Sequence, residues 1–136
     1  MKSKLGSPLV IAIALVMSSG CSVKSLVKQI EKEGEKQADI VCPCLDGEAE
    51  QMCYDQAVSS YSDCEIDALK EDSKASKETL NCLLDASKDM TKCYEDNIDC
   101  EDPLSTLTCL DILSEADCPE LPTEVQEALA ACDNGQ

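Results

Sequence analysis

Two stretches of equal length, CYDQAVSSYSDC at residues 53–64 and CLLDASKDMTKC at residues 82–93, are the most regular cysteine pattern in this chain. In each stretch the two Cys are eleven positions apart. At 3.6 residues per helical turn, that spacing is three turns within about 20°, so both Cys lie on one face of a helix. The polar segment between the stretches, KEDSKA at residues 70–75, predicts that the two helices form an antiparallel hairpin.

Facing positions in an antiparallel helix pair have a constant sum of residue numbers, and this condition predicts which cysteines meet. Cys53 with Cys93 and Cys64 with Cys82 have the same sum, so both disulfides can form in one register. Small residues on the same two stripes would let the helices approach to the distance that a disulfide needs. The sequence therefore predicts the bonds Cys53–Cys93 and Cys64–Cys82.

Six more cysteines follow residue 41 and complete an even set of ten, which can close as five disulfides. The pair Cys44–Cys100 nearly fits the hairpin register and would close the open end of the hairpin, and Cys42 is an alternative to Cys44. The remaining cysteines would join the two C-terminal helices to each other and to the start of the domain. The predicted pairs are Cys44–Cys100, Cys109–Cys132 and Cys42–Cys118. The chain has no Phe and no Trp for a large apolar core, and small domains of this kind rely on disulfides.

The region after residue 41 is rich in Ala, Leu, Glu, Lys, Asp and Ser, and no stretch shows the alternation of a β-strand. The predicted fold is all-α: a small disulfide-stapled helical bundle that consists of the antiparallel hairpin and two shorter helices. The predicted helices cover residues 47–70, 76–97, 103–115 and 124–132.

Residues 1–20 have the features of a signal peptide. The apolar run LVIAIALVM at residues 9–17 is too short to span a bilayer, which needs about 20 residues, and it follows a lysine-containing start. The next residues, Ser18-Ser19-Gly20-Cys21, resemble the lipobox of bacterial lipoproteins. An ordinary secretory signal, with Cys21 as one more cysteine, is the alternative.

The lipobox resemblance implies that Cys21 is the first residue of the mature chain and carries the lipid. Removal of Cys21 from the eleven cysteines leaves the even set of ten. Ser22, rather than Asp, follows Cys21, which resembles the pattern of lipoproteins sorted to the outer membrane. The resemblance leaves open whether the protein would face the periplasm or the cell surface.

Residues 21–41 differ from the rest of the chain in charge. They carry four Lys and four acids, whereas residues 42–136 carry five Lys and 24 acids, so the cysteine-rich helical domain is predicted to start near Val41. Four apolar residues at helical spacing predict a short amphipathic helix in a lipidated tether, broken at Gly34. Its lysines at 24, 28, 32 and 36 recur every fourth residue. We expect a solvated spacer helix, and a basic stripe against anionic lipid headgroups is the alternative.

Composition excludes several functions. The chain has no His, no Arg and a formal net charge of −17. Without His there is no Ser-His-Asp triad and no His-containing zinc site. The negative charge argues against nucleic-acid binding, which requires a basic face. The sequence predicts no enzyme, no cofactor and no metal site.

The predicted function is therefore that of a non-enzymatic, lipid-anchored envelope protein that has a structural role or binds an unknown protein partner. The whole chain resembles small cysteine-rich lipoproteins of bacteria that have no assigned function. One alternative is a metal-handling or thiol-redox lipoprotein that uses Cys42 and Cys44, or an acidic cluster. That cluster comprises Glu95, Asp96, Asp99, Glu101 and Asp102. Another alternative is a soluble secreted effector or inhibitor, if Cys21 carries no lipid.

Overall fold

The computed structural model describes residues 22–57 and 60–134, and every regular element in these two ranges is helical. The α-helices are α1 (Val23–Val41), α2 (Glu48–Ala57), α3 (Asp63–Lys70), α4 (Ser73–Asn97), α5 (Leu107–Glu115) and α6 (Thr123–Asp133), with a 3-10 turn at Cys42–Cys44. The predicted all-α, disulfide-stapled bundle is thus confirmed. Among the described helices, none combines the length and the apolar character that crossing a membrane requires.

Helix α1 is part of the core and is not a tether, contrary to the sequence prediction. It makes the most extensive helix–helix interface of the described residues, with α4. Val23, Leu26 and Val27 are almost fully buried, in one apolar cluster with Leu80 and Leu84 of α4. The apolar stripe that was expected to face solvent is therefore the buried face that holds α1 to the bundle.

A polar layer crosses the α1–α4 interface and separates two apolar clusters. Gln37 Nε2 donates to the Ser87 carbonyl (3.0 Å) and to Thr91 Oγ1 (3.1 Å). Thr91 Oγ1 also lies 3.1 Å from Glu33 Oε2, and Lys36 Nζ donates to Glu33 Oε1 at 2.6 Å. Burial alone would raise the pKa of the Glu33 carboxyl, but the hydrogen bonds from Lys36 and Thr91 outweigh it, so that pKa is lowered.

The second apolar cluster lies at the C-terminal ends of α1 and α4. Met90 and Tyr94 of α4 are buried against Cys109 of α5, and Ile40 and Val41 of α1 pack around them. Burial raises the pKa of the Tyr94 hydroxyl. Because the start of α1 meets the first half of α4 and the end of α1 meets its second half, the two helices run in the same direction.

The predicted helix over residues 47–70 is two helices, α2 and α3. Helix α3 begins with a capping box: Ser62 Oγ accepts from the Glu65 N–H, and the Glu65 carboxylate accepts from the Ser62 N–H. These hydrogen bonds from Ser62 lower the pKa of the Glu65 carboxyl. The predicted helix is thus divided, because a separate helix, α3, begins after the cap at Ser62.

The other three helices lie close to their predicted positions. Helix α4 starts at Ser73 rather than at 76, and α6 covers the predicted 124–132. Helix α5 starts at Leu107, four residues after the predicted start, because Asp102 Oδ1 accepts from the Leu104 N–H and holds a turn there.

Five disulfides join the ten described cysteines. They are Cys42–Cys53, Cys44–Cys100, Cys64–Cys132, Cys82–Cys118 and Cys93–Cys109. The predicted Cys44–Cys100 bond is present. Disulfides in this number are typical of a protein exported from the cytoplasm.

The other four predicted pairs are not formed. They are Cys53–Cys93, Cys64–Cys82, Cys109–Cys132 and Cys42–Cys118. The prediction from constant sums of residue numbers assumed that residues 47–70 form one helix and that this helix packs only against the second helix of the hairpin. In the structure α1 covers α4, and α2 lies beside α1, so Cys53 bonds to Cys42 at the end of α1. Cys93 and Cys82 then bond to α5 and to the segment after it.

Candidate interaction surface

Helix α5 and the turn before it carry an exposed row of leucines, which we call the leucine face. The exposed fractions are 66% for Leu104, 52% for Leu107, 48% for Leu110 and 38% for Leu113. An isolated exposed leucine is ordinary, whereas several together on one element mark an interaction site. The leucine face is therefore the strongest candidate for a functional surface among the described residues.

A narrow seam fixes α5 to the bundle and leaves the leucines outside. Cys109 is fully buried and bonded to Cys93 of α4, and Ile112 packs against the same cluster. The leucines are spaced by three residues, so each lies about 60° around the helix from the one before it. Within α5, Leu107 lies almost opposite Cys109, and Leu110 and Leu113 approach the seam step by step, in agreement with their falling exposed fractions.

The loop before α5 is also held in place, which fixes the position of Leu104. Cys100 is bonded to Cys44 in the 3-10 turn. The Asp99 N–H donates to Ser105 Oγ at 3.0 Å, and Ser105 Oγ donates to the Asp99 carbonyl at 3.1 Å. A disulfide and a hydrogen-bonded loop thus present Leu104 from a defined backbone.

In the part of the chain that carries the leucine face, every charged side chain is acidic. Residues 93–136 contain twelve Asp and Glu and no Lys or Arg. The exposed acids nearest to the leucines in sequence are Asp99, Glu101, Asp102, Asp111 and Glu115. A surface of this kind complements a partner whose apolar residues are surrounded by basic ones.

An open groove between α4 and α5 continues this acidic character. Its apolar residues include Ala86 and Ile112, and its carboxylates are Asp85, Asp89 and Glu115. Since Ile112 and Glu115 belong to α5, the groove and the leucine face share one helix. The groove could accept the long aliphatic stem of a Lys or Arg, with the cationic end near the carboxylates.

The residues proposed for redox or metal chemistry are used structurally. Cys42 and Cys44 are both in disulfides, with different partners. In the acidic cluster, Asp99 Oδ1 accepts from the Glu101 N–H and Asp102 Oδ1 accepts from the Leu104 N–H, so both carboxylates stabilise turns. Within residues 22–57 and 60–134, no three Cys, Asp or Glu side chains are grouped as a metal site.

The predicted lipidation site, Cys21, lies outside the described residues, as do the signal peptide and the other lipobox residues. The described chain begins at Ser22, whose side chain accepts from the Ser25 N–H and caps α1. Helix α1 therefore starts two residues after Cys21 in the sequence.

Sequence reasoning missed the leucine face. It predicted a helix over residues 103–115 and singled out no surface on it. The signal was the three-residue spacing of the leucines, which spreads them around the helix instead of aligning them, while Cys109 and Ile112 provide the inward seam.

Comparison of the chain with protein-family models, with curated protein sequences and with solved structures gives no match.

Proposed function

We propose that this chain is a non-enzymatic, lipid-anchored protein of the bacterial envelope, attached at Cys21 to the outer membrane, whose bundle binds a basic protein partner through the leucine face. The observation that carries the proposal is the leucine face itself, four exposed leucines in a segment without any basic residue. The disulfides support an exported location. The lipobox-like Ser18-Ser19-Gly20-Cys21 supports the anchor.

The chemistry of the surface favours a basic partner over a second copy of this chain. Two leucine faces in contact would bring together the exposed acids that flank the leucines of each copy, and residues 93–136 contain no base to pair them. Like charges at an interface are repulsive, whereas a Lys- or Arg-rich partner gains both apolar contact and ion pairing. The partner is thus expected to have an apolar stripe flanked by basic side chains.

Peptide binding tests the interaction. The probe is a fluorescent helical peptide of Leu and Lys with its leucines on one face, and the control peptide has the same composition in scrambled order. We expect the first to bind more tightly in fluorescence anisotropy at physiological salt. Full burial of one leucine contributes about 1.5–3 kcal/mol, and about half of each side chain is still exposed here, so Leu107→Ser with Leu110→Ser should weaken binding by about tenfold or more.

The matched control removes apolar side chains from another exposed site, with Leu45→Ser and Met52→Ser, and should leave binding unchanged. Circular dichroism should show the same thermal transition for both double variants, because these side chains are exposed. Equal affinity for the two peptides, equal effects of the two double variants, or self-association of the wild type in sedimentation would contradict the proposal.

An intact mass of the native protein, alkylated without reduction, tests the anchor and separates the alternatives. The expected mass starts at Cys21, includes acyl groups and has no alkylated thiol. An unlipidated mass would support the secreted effector or inhibitor. Two or more alkylated thiols would support the redox or metal-handling protein.

A further inference from the structure

The outward face of the first half of α1 is basic. Lys24, Lys28 and Lys32 are spaced by four residues and are all exposed. This spacing turns the row by only about 40° per step, so the three amines follow one side of the helix over about 12 Å. Ser25 and Gln29 lie beside them, and Glu35, three residues after Lys32, is an exposed acid at the end of this row. We call Lys24, Lys28 and Lys32 the lysine face.

Two of the three acids nearest to the lysine face are engaged elsewhere, which leaves Glu35 as the exposed one. The Glu31 carboxylate accepts from the Tyr61 N–H at 2.8 Å, and the Glu33 carboxylate accepts from Lys36 in the polar layer. Both are therefore engaged with other parts of the bundle or with their own helix. The net positive charge of the lysine face is thus a property of the folded molecule, although residues 21–41 carry equal numbers of Lys and acids.

The lysine face is rigidly placed next to the proposed anchor. Val23, Leu26 and Val27 hold the opposite side of α1 in the core. Ser22 caps the helix and follows Cys21 in the sequence, so the lysine face begins three residues after the proposed lipid site. A lipid on Cys21 would bring Lys24 within a few residues of the headgroups, and Lys32 about two turns further along.

We infer that the lysine face lies along an anionic lipid surface and orients the whole bundle on it, an inference that rests on the proposed lipid anchor. A lysine near an anionic leaflet strengthens association about fivefold, and the effect falls off within about 8 Å at physiological salt. The acidic segment 93–136 is on other helices and is repelled by the same surface. Anchor, lysine face and acidic segment together favour one orientation over all others.

Amine acetylation with mass spectrometry tests this orientation. The lipidated protein is reconstituted in vesicles of phosphatidylcholine alone, or with about one third phosphatidylglycerol. We expect the anionic vesicles to slow acetylation of Lys24, Lys28 and Lys32 by about fivefold, and 1 M salt to abolish the difference. Lys74 and Lys92, which are exposed on α4, serve as internal controls and should react equally in both vesicles.

Charge reversal provides the matched variants. Lys28→Glu should remove the protection of Lys24 and Lys32, whereas Lys74→Glu, with the same change of net charge, should preserve it. Protein that floats with vesicles and reacts equally at all lysines overturns the lysine-face inference alone. Protein that floats with neither kind of vesicle overturns the lipid anchor, and with it the inference.

Discussion

At the scale of single residues, Glu33 shows how a charge is accommodated between helices. Its carboxylate accepts hydrogen bonds from Lys36 and Thr91 in the polar layer, and its pKa is lowered as a result. The layer fixes which part of α1 meets which part of α4, because an axial shift of either helix would break the hydrogen bonds of Gln37 to Ser87 and Thr91 and that of Thr91 to Glu33.

This pKa shift predicts a pH dependence of stability. Glu33 is ionised more readily in the folded chain than in the unfolded chain, so its stabilising effect is complete above about pH 4.5, the ordinary glutamate pKa. The effect is lost as the pH falls through the lower folded-state pKa. We expect Glu33→Gln to lower the free energy of unfolding by about 1–2 kcal/mol at pH 7, with the deficit shrinking towards pH 3.

Urea unfolding at a series of pH values measures this dependence. Glu35→Gln, an exposed carboxylate on the same helix, controls for the loss of one negative charge from a strongly acidic protein. A deficit for Glu33→Gln that stays constant between pH 7 and pH 3, or equals that of Glu35→Gln, would show that the ionised carboxylate has no special role.

At the scale of the helices, two glycines have opposite roles. Gly34 was predicted to break the first helix, but α1 continues through it without interruption. A Cβ added there would lie 3.5 Å from the Ala57 carbonyl oxygen, an ordinary van der Waals contact. Gly47, just before α2, has a φ of 60°, which a side chain disfavours.

We therefore expect Gly34→Ala to stabilise the protein by about 0.5–1 kcal/mol, because Ala is the better helix former. Gly47→Ala should destabilise it by about 1–2 kcal/mol, because the left-handed backbone costs that much for a residue with a Cβ. Thermal unfolding followed by circular dichroism should thus move in opposite directions for the two variants. A lower transition temperature for Gly34→Ala would mean that α1 and the end of α2 cannot adjust to the added methyl group.

Sequence patterns predicted the helices better than they predicted the contacts between helices. Cysteine spacing and helix-favouring composition located α4 and α6 to within a few residues, since these signals are local. Apolar spacing identified the stripe of α1, but the composition shift near Val41 suggested that this helix lay outside the domain. Charge balance does not determine burial, and the buried Val23, Leu26 and Val27 made α1 the main partner of α4.

The candidate surfaces were predictable only in part. The lysines of α1 were recognised as a stripe, but only the packing of α1 showed that they are held on a fixed outer face. The leucine face depends on which side of α5 meets α4. That side is set by the Cys93–Cys109 bond. The sequence-based prediction had instead paired Cys93 with Cys53 and Cys109 with Cys132.

At the scale of the whole molecule, the disulfides differ in the length of chain that they close. Cys42–Cys53 spans eleven residues and Cys64–Cys132 spans 68. The Cys82–Cys118 bond shortens the loop closed by Cys64–Cys132, but that loop is still about three times longer than the loop closed by Cys42–Cys53. Removal of the Cys64–Cys132 bond therefore increases the conformational entropy of the unfolded chain more than removal of Cys42–Cys53.

We expect Cys64→Ala with Cys132→Ala to lower the free energy of unfolding by about 1 kcal/mol more than Cys42→Ala with Cys53→Ala. Urea denaturation of the two double variants without reducing agent measures this difference. Peptide mapping of the unreduced wild type should recover the five bonds of the structure. Recovery of Cys53–Cys93 or Cys64–Cys82 instead would contradict the helix arrangement described above.

The overlap of the disulfide loops has a consequence for proteolysis. The loops closed by Cys42–Cys53, Cys44–Cys100 and Cys64–Cys132 together cover every peptide bond between Cys42 and Cys132. A protease that cuts once anywhere in that range leaves one covalently joined molecule, with the leucine face still linked to α1. Residues 22–41 contain no cysteine, so a cut there would separate the bundle from the proposed lipid on Cys21. The packing of α1 against α4 therefore shields the stretch where, on that proposal, a single cleavage would release the bundle from the membrane.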